Sequence, residues 1–432
     1  MLGPLPFHQG RQMKRFKVAI AGLAAGMVLV LMGALQPVSV RSQEEPIAGS
    51  AEALEAEVAA GTADAEEIAA LAFDYLSRVR SDADPSVIPV ARRLLERSLA
   101  MQPRDNFAAS LGMAALANAR HDFSSSVAWS RRAIRIDPYD AAPYGTLGDA
   151  LFELGSVRRA DAAYQDMIDL LPNVASYVRA SYAAQSHGNF EAAIHALRLA
   201  LDAAPPVGEE PAWLHHQLGD VFATLGDHER SERVNRIGTK LAPGYVPPTV
   251  GIAESYIARG RYDDALPIME RAASELPALE YLVTLGDLYW AVGDRGAAAE
   301  TYDRAARRFA LYRANGVLPD HDFVLFYADH GLRPVAALCE ARAIYENRPT
   351  AAAADTLAWA LHASGRDRAA MQRSRDAMRR TKPADAAVYF HAASIADSLG
   401  ERRAARNYAR TALDIDPRFS LFHLDDAKRL AR

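Results

Sequence analysis

The 432 residues contain a single cysteine, Cys339, so an intrachain disulfide is impossible, and neither a CxxC redox pair nor a cysteine zinc site can be assembled from one chain. Stability has to come from apolar burial. The sequence also lacks HExxH, GxxxxGK followed by Ser or Thr, GxSxG and GxGxxG, which removes the common local signatures of metalloproteases, phosphate-binding loops, serine hydrolases and dinucleotide enzymes. No catalytic residue and no cofactor is therefore assigned, and the expectation is a protein that is not an enzyme. Positive charge is short in most of the chain. Residues 351–432 carry 15 Lys and Arg against 10 Asp and Glu, leaving 34 against 44 in the other 350 positions, so the net charge of −5 divides into +5 and −10. An acidic body of that size repels nucleic acid, which is not expected as a partner. With 50% hydrophobic and 24% charged residues, the composition is that of a folded chain.

Long apolar runs are missing except for one. Arg11, Lys14, Arg15 and Lys17 precede the uncharged stretch Val18 to Leu35, and Pro37, Arg41, Glu44 and Glu45 follow it. As a helix this stretch would reach about 27 Å, close to a hydrocarbon core, and the positive-inside bias would send the rest of the chain across the membrane. Residues 1–17 read as a basic leader, 18–35 as a signal peptide or transmembrane anchor, and 36–50 as a polar linker. Cleavage near Val40-Arg41-Ser42 and retention as an anchor both fit, giving either a secreted or periplasmic array or a membrane-anchored one outside the cytoplasm.

What remains is periodic. Prolines close apolar-periodic stretches at Pro103, Pro138, Pro172, Pro205, Pro243, Pro277, Pro349, Pro383 and Pro417, at intervals of 33 to 38 with one of 72 that spans two periods and has Ala310 at the missing mark. A second series precedes these by about half a period: Gly155, Gly188, Gly226, Gly260, Gly293, Gly331, Gly365 and Gly400, with His121 in the equivalent place earlier. Two marks per period imply two helices, the first ended by a left-handed glycine and the second by proline.

In the unit Ala141 to Pro172, Tyr144, Leu147, Gly148, Leu151, Ala160, Tyr164 and Pro172 fall at positions 4, 7, 8, 11, 20, 24 and 32, a pattern that closely resembles the tetratricopeptide repeat family. On the same frame, position 20 reads Ala91, Ser126, Ala160, Ala193, Ser231, Ala265, Ala298, Ala336, Ala370 and Ala405. Small side chains there let paired helices cross at close range. The expected fold is all-α: a right-handed superhelical solenoid of about ten helix-turn-helix units over 72–417, with helical caps at 51–71 and 418–432. Breaks in the pattern at Val79, at Pro247-Pro248 and at Leu311 to Pro319 predict kinks.

The resemblance implies a concave groove, lined by the first helix of each pair, that binds an extended or helical segment of another protein. It puts Asn118; Asp149, Phe152 and Glu153; Tyr182 and Gln185; Trp213, His216 and Asp220; Glu254; Asp287 and Trp290; His321 and Asp329; Asp355, Trp359 and His362; and Phe390 and Asp397 on that face. Lysine and arginine are absent from the set. Tryptophans beside carboxylates suit a basic or basic-apolar partner segment. The reading is thus a non-enzymatic scaffold or adaptor, or a recruiting subunit of a membrane-bound enzyme, secretion or envelope complex. Remaining clusters have plainer explanations. Asp320-His321-Asp322, with His330 nearby, has metal-ligand residue types but sits where acidic residues cap a helix. His215 and His216 diverge on a helix and do not readily share a metal. Arg366 to Lys382 reads as a solvated helix face rather than a phosphate site, and Cys339 as a small buried side chain.

Overall fold

The computed structural model describes residues 51–381 and 384–432. The basic leader, the apolar run 18–35, the linker 36–50, Lys382 and Pro383 lie outside the described residues. Every regular element described is helical, and no described helix is long and apolar enough to cross a membrane.

The chain is a stack of antiparallel helix pairs. A short helix α1 (Ala51–Ala60) precedes ten pairs: α2 (Ala65–Ser81) with α3 (Ile88–Met101), α4 (Phe107–Ala119) with α5 (Phe123–Ile136), α6 (Ala142–Glu153) with α7 (Val157–Leu170), α8 (Val174–Ser186) with α9 (Phe190–Ala203), and α10 (Glu209–Thr224) with α11 (His228–Leu241). The second half continues with α12 (Val246–Ala258) and α13 (Tyr262–Glu275), α14 (Leu279–Val292) and α15 (Arg295–Ala314), α16 (His321–Asp329) and α17 (Pro334–Asn347), α18 (Ala351–Ala363) and α19 (Asp367–Arg380), and α20 (Ala386–Ser398) and α21 (Arg402–Ile415). A final short helix, α22 (Leu424–Leu430), follows. The first unit starts at Ala65, where Asp64 and Glu67 form a capping box, so the cap boundary expected at residue 71 falls inside α2.

Local chemistry explains each turn. The mid-unit glycines have φ from +64° to +89°, and His121, which takes the same place, has φ +59°. In several units the next residue caps the second helix: Asp122, Asn189, Asp227 and Asp294 each accept a backbone N–H three residues on. Two consecutive residues therefore end one helix and start the next. The small-residue series is buried as expected, with Ala91, Ala160, Ala193, Ala265 and Ala370 fully enclosed and Ala298 at 1% exposure. Where position 8 is Gly148 or Gly286, a Cβ would lie 2.3 or 2.4 Å from the ring of Tyr164 or Tyr302. The glycine and the tyrosine are one steric pair.

The eighth unit breaks register. Without a proline near Ala310, α15 runs on to Ala314 and α16 is cut to nine residues. Arg333, with φ +46°, adds a residue before α17, so Ala337 takes the buried contact in place of Ala336. The same shift turns Cys339 outward, and the expectation of a buried cysteine is corrected: it is exposed.

The superhelix also meets itself. Arg120 Nε donates to the Gly316 carbonyl at 2.8 Å, and Leu318 N–H donates to the Arg120 carbonyl at 3.0 Å. Arg348 pairs with Glu153 at 3.1 Å and lies 5.1 Å from the Phe123 ring centroid, and Arg308 donates to the Ala83 carbonyl. Their separations of 195, 196 and 225 residues are near six to seven repeat lengths. One turn of the solenoid thus rests on the next.

Candidate functional site

The first helices of the pairs form the inner wall, and the expected groove residues divide there into three groups. The first group packs between helices. Asp149 is 2% exposed and receives Arg179 from the next unit, Nη2 to Oδ2 at 2.8 Å and Nε to Oδ1 at 3.0 Å, while Tyr164 Oη donates to it at 3.1 Å. This ion pair is a strut between units three and four. Asn118 is buried and donates to the Thr146 carbonyl at 3.3 Å. Trp213 is 3% exposed in an apolar cluster with Val178, Leu197 and Leu218. Asp355, Trp359 and Phe390 are also buried. Trp213 and Trp359 thus pack between helices, whereas Trp290 keeps part of its surface open. Phe152 is half-buried against Leu151 and Tyr164, Tyr182 Oη donates to Gln217 at 3.1 Å, and Gln185 donates to Ser181 at 3.3 Å.

The second group is acidic and faces the channel in units three to eight. Asp220 and Glu254 belong to it, and the structure adds Glu280 and Asp322. Glu280 stands at position 2 of its unit, a groove position, and a full reading of that position would have found it. Asp322 lies next to Asp320, which caps α16 by accepting from Phe323 N–H at 3.1 Å. Among the described residues, Glu254, Glu280 and Asp322 form no ion pair with Lys or Arg. Enclosure by the channel walls pushes the Asp220 carboxyl up to about 8. The same enclosure, then the charges of Asp220 and Glu280, pushes Glu254 up to about 7 even though its own surface is open to solvent. Glu280 and Asp322 are raised for the same reasons, desolvation first and neighbouring carboxylates second. Glu153 is pushed up to about 7 by burial, against the pull of Arg348. His216 contacts Asn235 Oδ1 at 3.1 Å and lies 3.7 Å from Asp220, and burial pushes its imidazole pKa down. The cations missed from sequence, Arg179, Arg308 and Arg348, are committed to Asp149, Ala83 and Glu153.

The third group lies in units seven to ten and is covered by the chain's own end. Trp290 carries the Arg295 guanidinium 3.4 Å from its ring centroid and the Phe422 ring at 4.7 Å. Asp329 Oδ1 accepts from Trp359 Nε1 at 2.6 Å and lies 2.9 Å from His423 Nε2; although burial opposes it, these contacts hold the carboxyl below its usual range. Trp359 stacks on His391 at 4.2 Å and on His362 at 4.9 Å; His391 contacts Asp355 at 2.8 Å and His362 contacts Asp367 at 2.6 Å. Asp287 accepts from Tyr302 at 2.7 Å and is pushed up to about 7 by burial, with His330 3.3 Å away and itself pushed down to about 4. Asp397 is exposed at the rim. His321 contacts Thr356 at 3.0 Å, and burial, then Arg348 and His121, push it down to about 3. Among the described residues, no group of three or more His, Cys, Asp or Glu is placed to hold a metal ion. On the outer face, Arg379 and Arg380 pair with Asp376 at 3.1 and 3.0 Å along an exposed helix edge.

The tetratricopeptide repeat profile matches residues 174–206, 279–308 and 386–419, which are units four, seven and ten. Anaphase-promoting complex subunit 7 of Arabidopsis thaliana is 26% identical over 153 residues, 35% of this chain and 27% of that subunit. The chain therefore aligns with well under two thirds of that relative. Among solved structures, the APC/C hetero-tetramer Cut9-Hcn1 is 16% identical with a TM-score of 0.42, covering 88% of this chain and 69% of that one. A tetratricopeptide repeat protein from Parabacteroides merdae is 15% identical with a TM-score of 0.42, over 58% of this chain and 98% of that one. The profile matches, with the unit spacing and turn geometry above, support a tetratricopeptide repeat array.

Proposed function

We propose that the protein is a non-enzymatic scaffold whose acidic channel in units three to eight holds a basic or basic-apolar segment of a partner protein. Tetratricopeptide arrays act generally as protein-interaction scaffolds, and the similarity to a subunit of a large assembly fits that class of role. The observation that carries the reading is the set Glu254, Glu280 and Asp322, which face the channel beside Asp220 without cation partners among the described residues. A carboxylate costs free energy when it is desolvated and unpaired, and the raised pKa values of these groups express that cost. A lysine or arginine entering the channel would supply the missing charge, so the carboxyls ionise as the ligand binds. With the apolar run 18–35 after its basic leader, the array belongs to the trans side of a membrane, anchored or released.

The test is a photoreactive residue at position 254 or 280 in intact cells, followed by mass spectrometry of the adducts. Expected is crosslinking to a lysine- or arginine-bearing segment that Glu254→Gln with Glu280→Gln abolishes in binding assays. Capture that survives the double substitution, or a captured segment without cationic residues, would refute the acidic channel as the binding site.

A further inference from the structure

The concave face of the last units already has an occupant. After α21 ends, Asp416 accepts the Arg418 backbone N–H at 2.8 Å and turns the chain back across the inner wall. Arg418 Nη1 reaches the Ala258 carbonyl of unit six at 3.4 Å. Phe419 packs on Phe390 at 5.4 Å, Phe422 lies against both Trp290 at 4.7 Å and His330 at 4.6 Å, and His423 lies 2.9 Å from Asp329. Only then does α22 begin, burying Leu424 and Ala427 over the end of the array.

Two tasks separate along this segment. α22 shields the apolar end of the last unit, as a solenoid end requires. Residues 418–423 do something else, because their contacts are spread over units six to ten on the inner face. Their packing is also looser than that of the core. Phe419, Leu421 and Phe422 are only half-buried, whereas Phe309, Phe323 and Phe326 are 3 to 4% exposed. Beside His423 a cleft of about 230 Å³, open to solvent, lies between the inner wall and α22, lined by Trp359, His362, Phe390, Asp397, Asp426 and Arg429. Half-buried aromatics on a short irregular turn are the marks of a segment at the low-stability end of a fold.

We propose that residues 416–423 are a built-in ligand that holds the aromatic half of the groove until a partner segment of the same chemistry displaces it. That chemistry is an arginine followed at once by an aromatic residue, a second aromatic three positions later, and a histidine directly after it. The two rings enter places beside Phe390 and Trp290, and the imidazole meets Asp329. Aromatic anchors with one oriented polar contact make an effective recognition set. Because the resident segment is tethered, it competes at an effective concentration of about millimolar, so only a concentrated or tightly binding rival replaces it.

The inference does not use the carboxylates of the acidic channel. A fluorescent peptide of residues 415–424, IDPRFSLFHL, is titrated into the full-length protein and into the Phe422→Ala/His423→Ala variant, with anisotropy as the readout. The variant is expected to bind the peptide about tenfold or more tightly than the parent does, and a scrambled peptide is not expected to bind. Equal affinity of parent and variant, or equal binding of the scrambled peptide, overturns the proposal. If the double variant fails to melt cooperatively, Phe422→Leu, which keeps apolar volume and loses ring stacking, is expected to bind more tightly than the parent in the same assay; no gain there also overturns it. Glu254→Gln with Glu280→Gln is expected to leave this peptide's affinity unchanged, so failure here and failure of the acidic-channel reading are told apart.

Discussion

Units three to eight and units seven to ten share one concave wall, yet they satisfy their polar groups in opposite ways. In the earlier stretch Glu254, Glu280 and Asp322 have no cation partner among the described residues, and desolvation with neighbouring carboxylates raises their pKa values. In the later stretch Asp329, Asp355 and the indole of Trp359 are hydrogen-bonded, and the rings of Trp290 and Phe390 are covered by Phe422 and Phe419. The difference teaches that a concave face is a binding surface only where the chain has left its own demands unmet. Substitutions should therefore cost stability in the filled stretch and binding in the open one.

The sharpest break would come from Trp359→Ala, which removes a buried ring stacked on two histidines. A loss of about 3–5 kcal/mol is expected by urea denaturation followed by circular dichroism; a loss below about 1 kcal/mol would mean the filled wall is not packed as described. Phe422→Ala, at a half-buried ring, should cost about 1–2 kcal/mol in the same experiment, and a cost as large as that of Trp359→Ala would make the C-terminal segment part of the core. The pH dependence tests the raised carboxyls of both stretches. Asp220 at about 8, with Glu153, Glu254 and Asp287 at about 7, binds protons in the folded state that the unfolded chain loses near pH 4. Their stability contribution is complete below that lower range and is lost as pH rises through 7 to 8. His321 and His330, lowered to about 3 and 4, act in the opposite sense and only below about 6.5, whereas His391, though burial opposes it, is held up by Asp355 and adds to the loss above 6.5. Tm should therefore fall between pH 6.5 and 8, and Asp220→Asn should reduce the fall; an unchanged slope in that variant would count against the raised carboxyl. Glu254→Gln with Glu280→Gln, which removes carboxyls that are disfavoured when charged, should leave stability at pH 7 unchanged or slightly higher, and a large loss would show that these groups are struts like Asp149.

The repeat itself was legible because its constraints are local and recur: a left-handed turn at each mid-unit glycine, a proline stop, and an alanine or serine where two helices cross. Those rules placed α6 and α7 and their counterparts along the chain. They failed at Cys339, where Arg333 adds one residue and rotates the helix by a position. The groove was legible only in part, since facing inward and being accessible are different properties. Trp213 and Phe390 stand at groove positions but fill the seams between inner helices. Arg348 reaches Glu153 because the solenoid closes after about six units, and no local pattern encodes how far a superhelix winds before it touches itself. The covering of Trp290 by Phe422 is equally a product of the tertiary path.

Solenoids held together by adjacent units alone come apart piecemeal, one repeat fraying without alarming its distant neighbours. Here Arg120 with Gly316 and Arg348 with Glu153 stitch one coil to the next, so that opening the second or third unit also unfastens the eighth. Such stitching makes melting more concerted than the length of the array suggests, and because the ties join residues nearly two hundred apart, it also makes the last stage of folding slow.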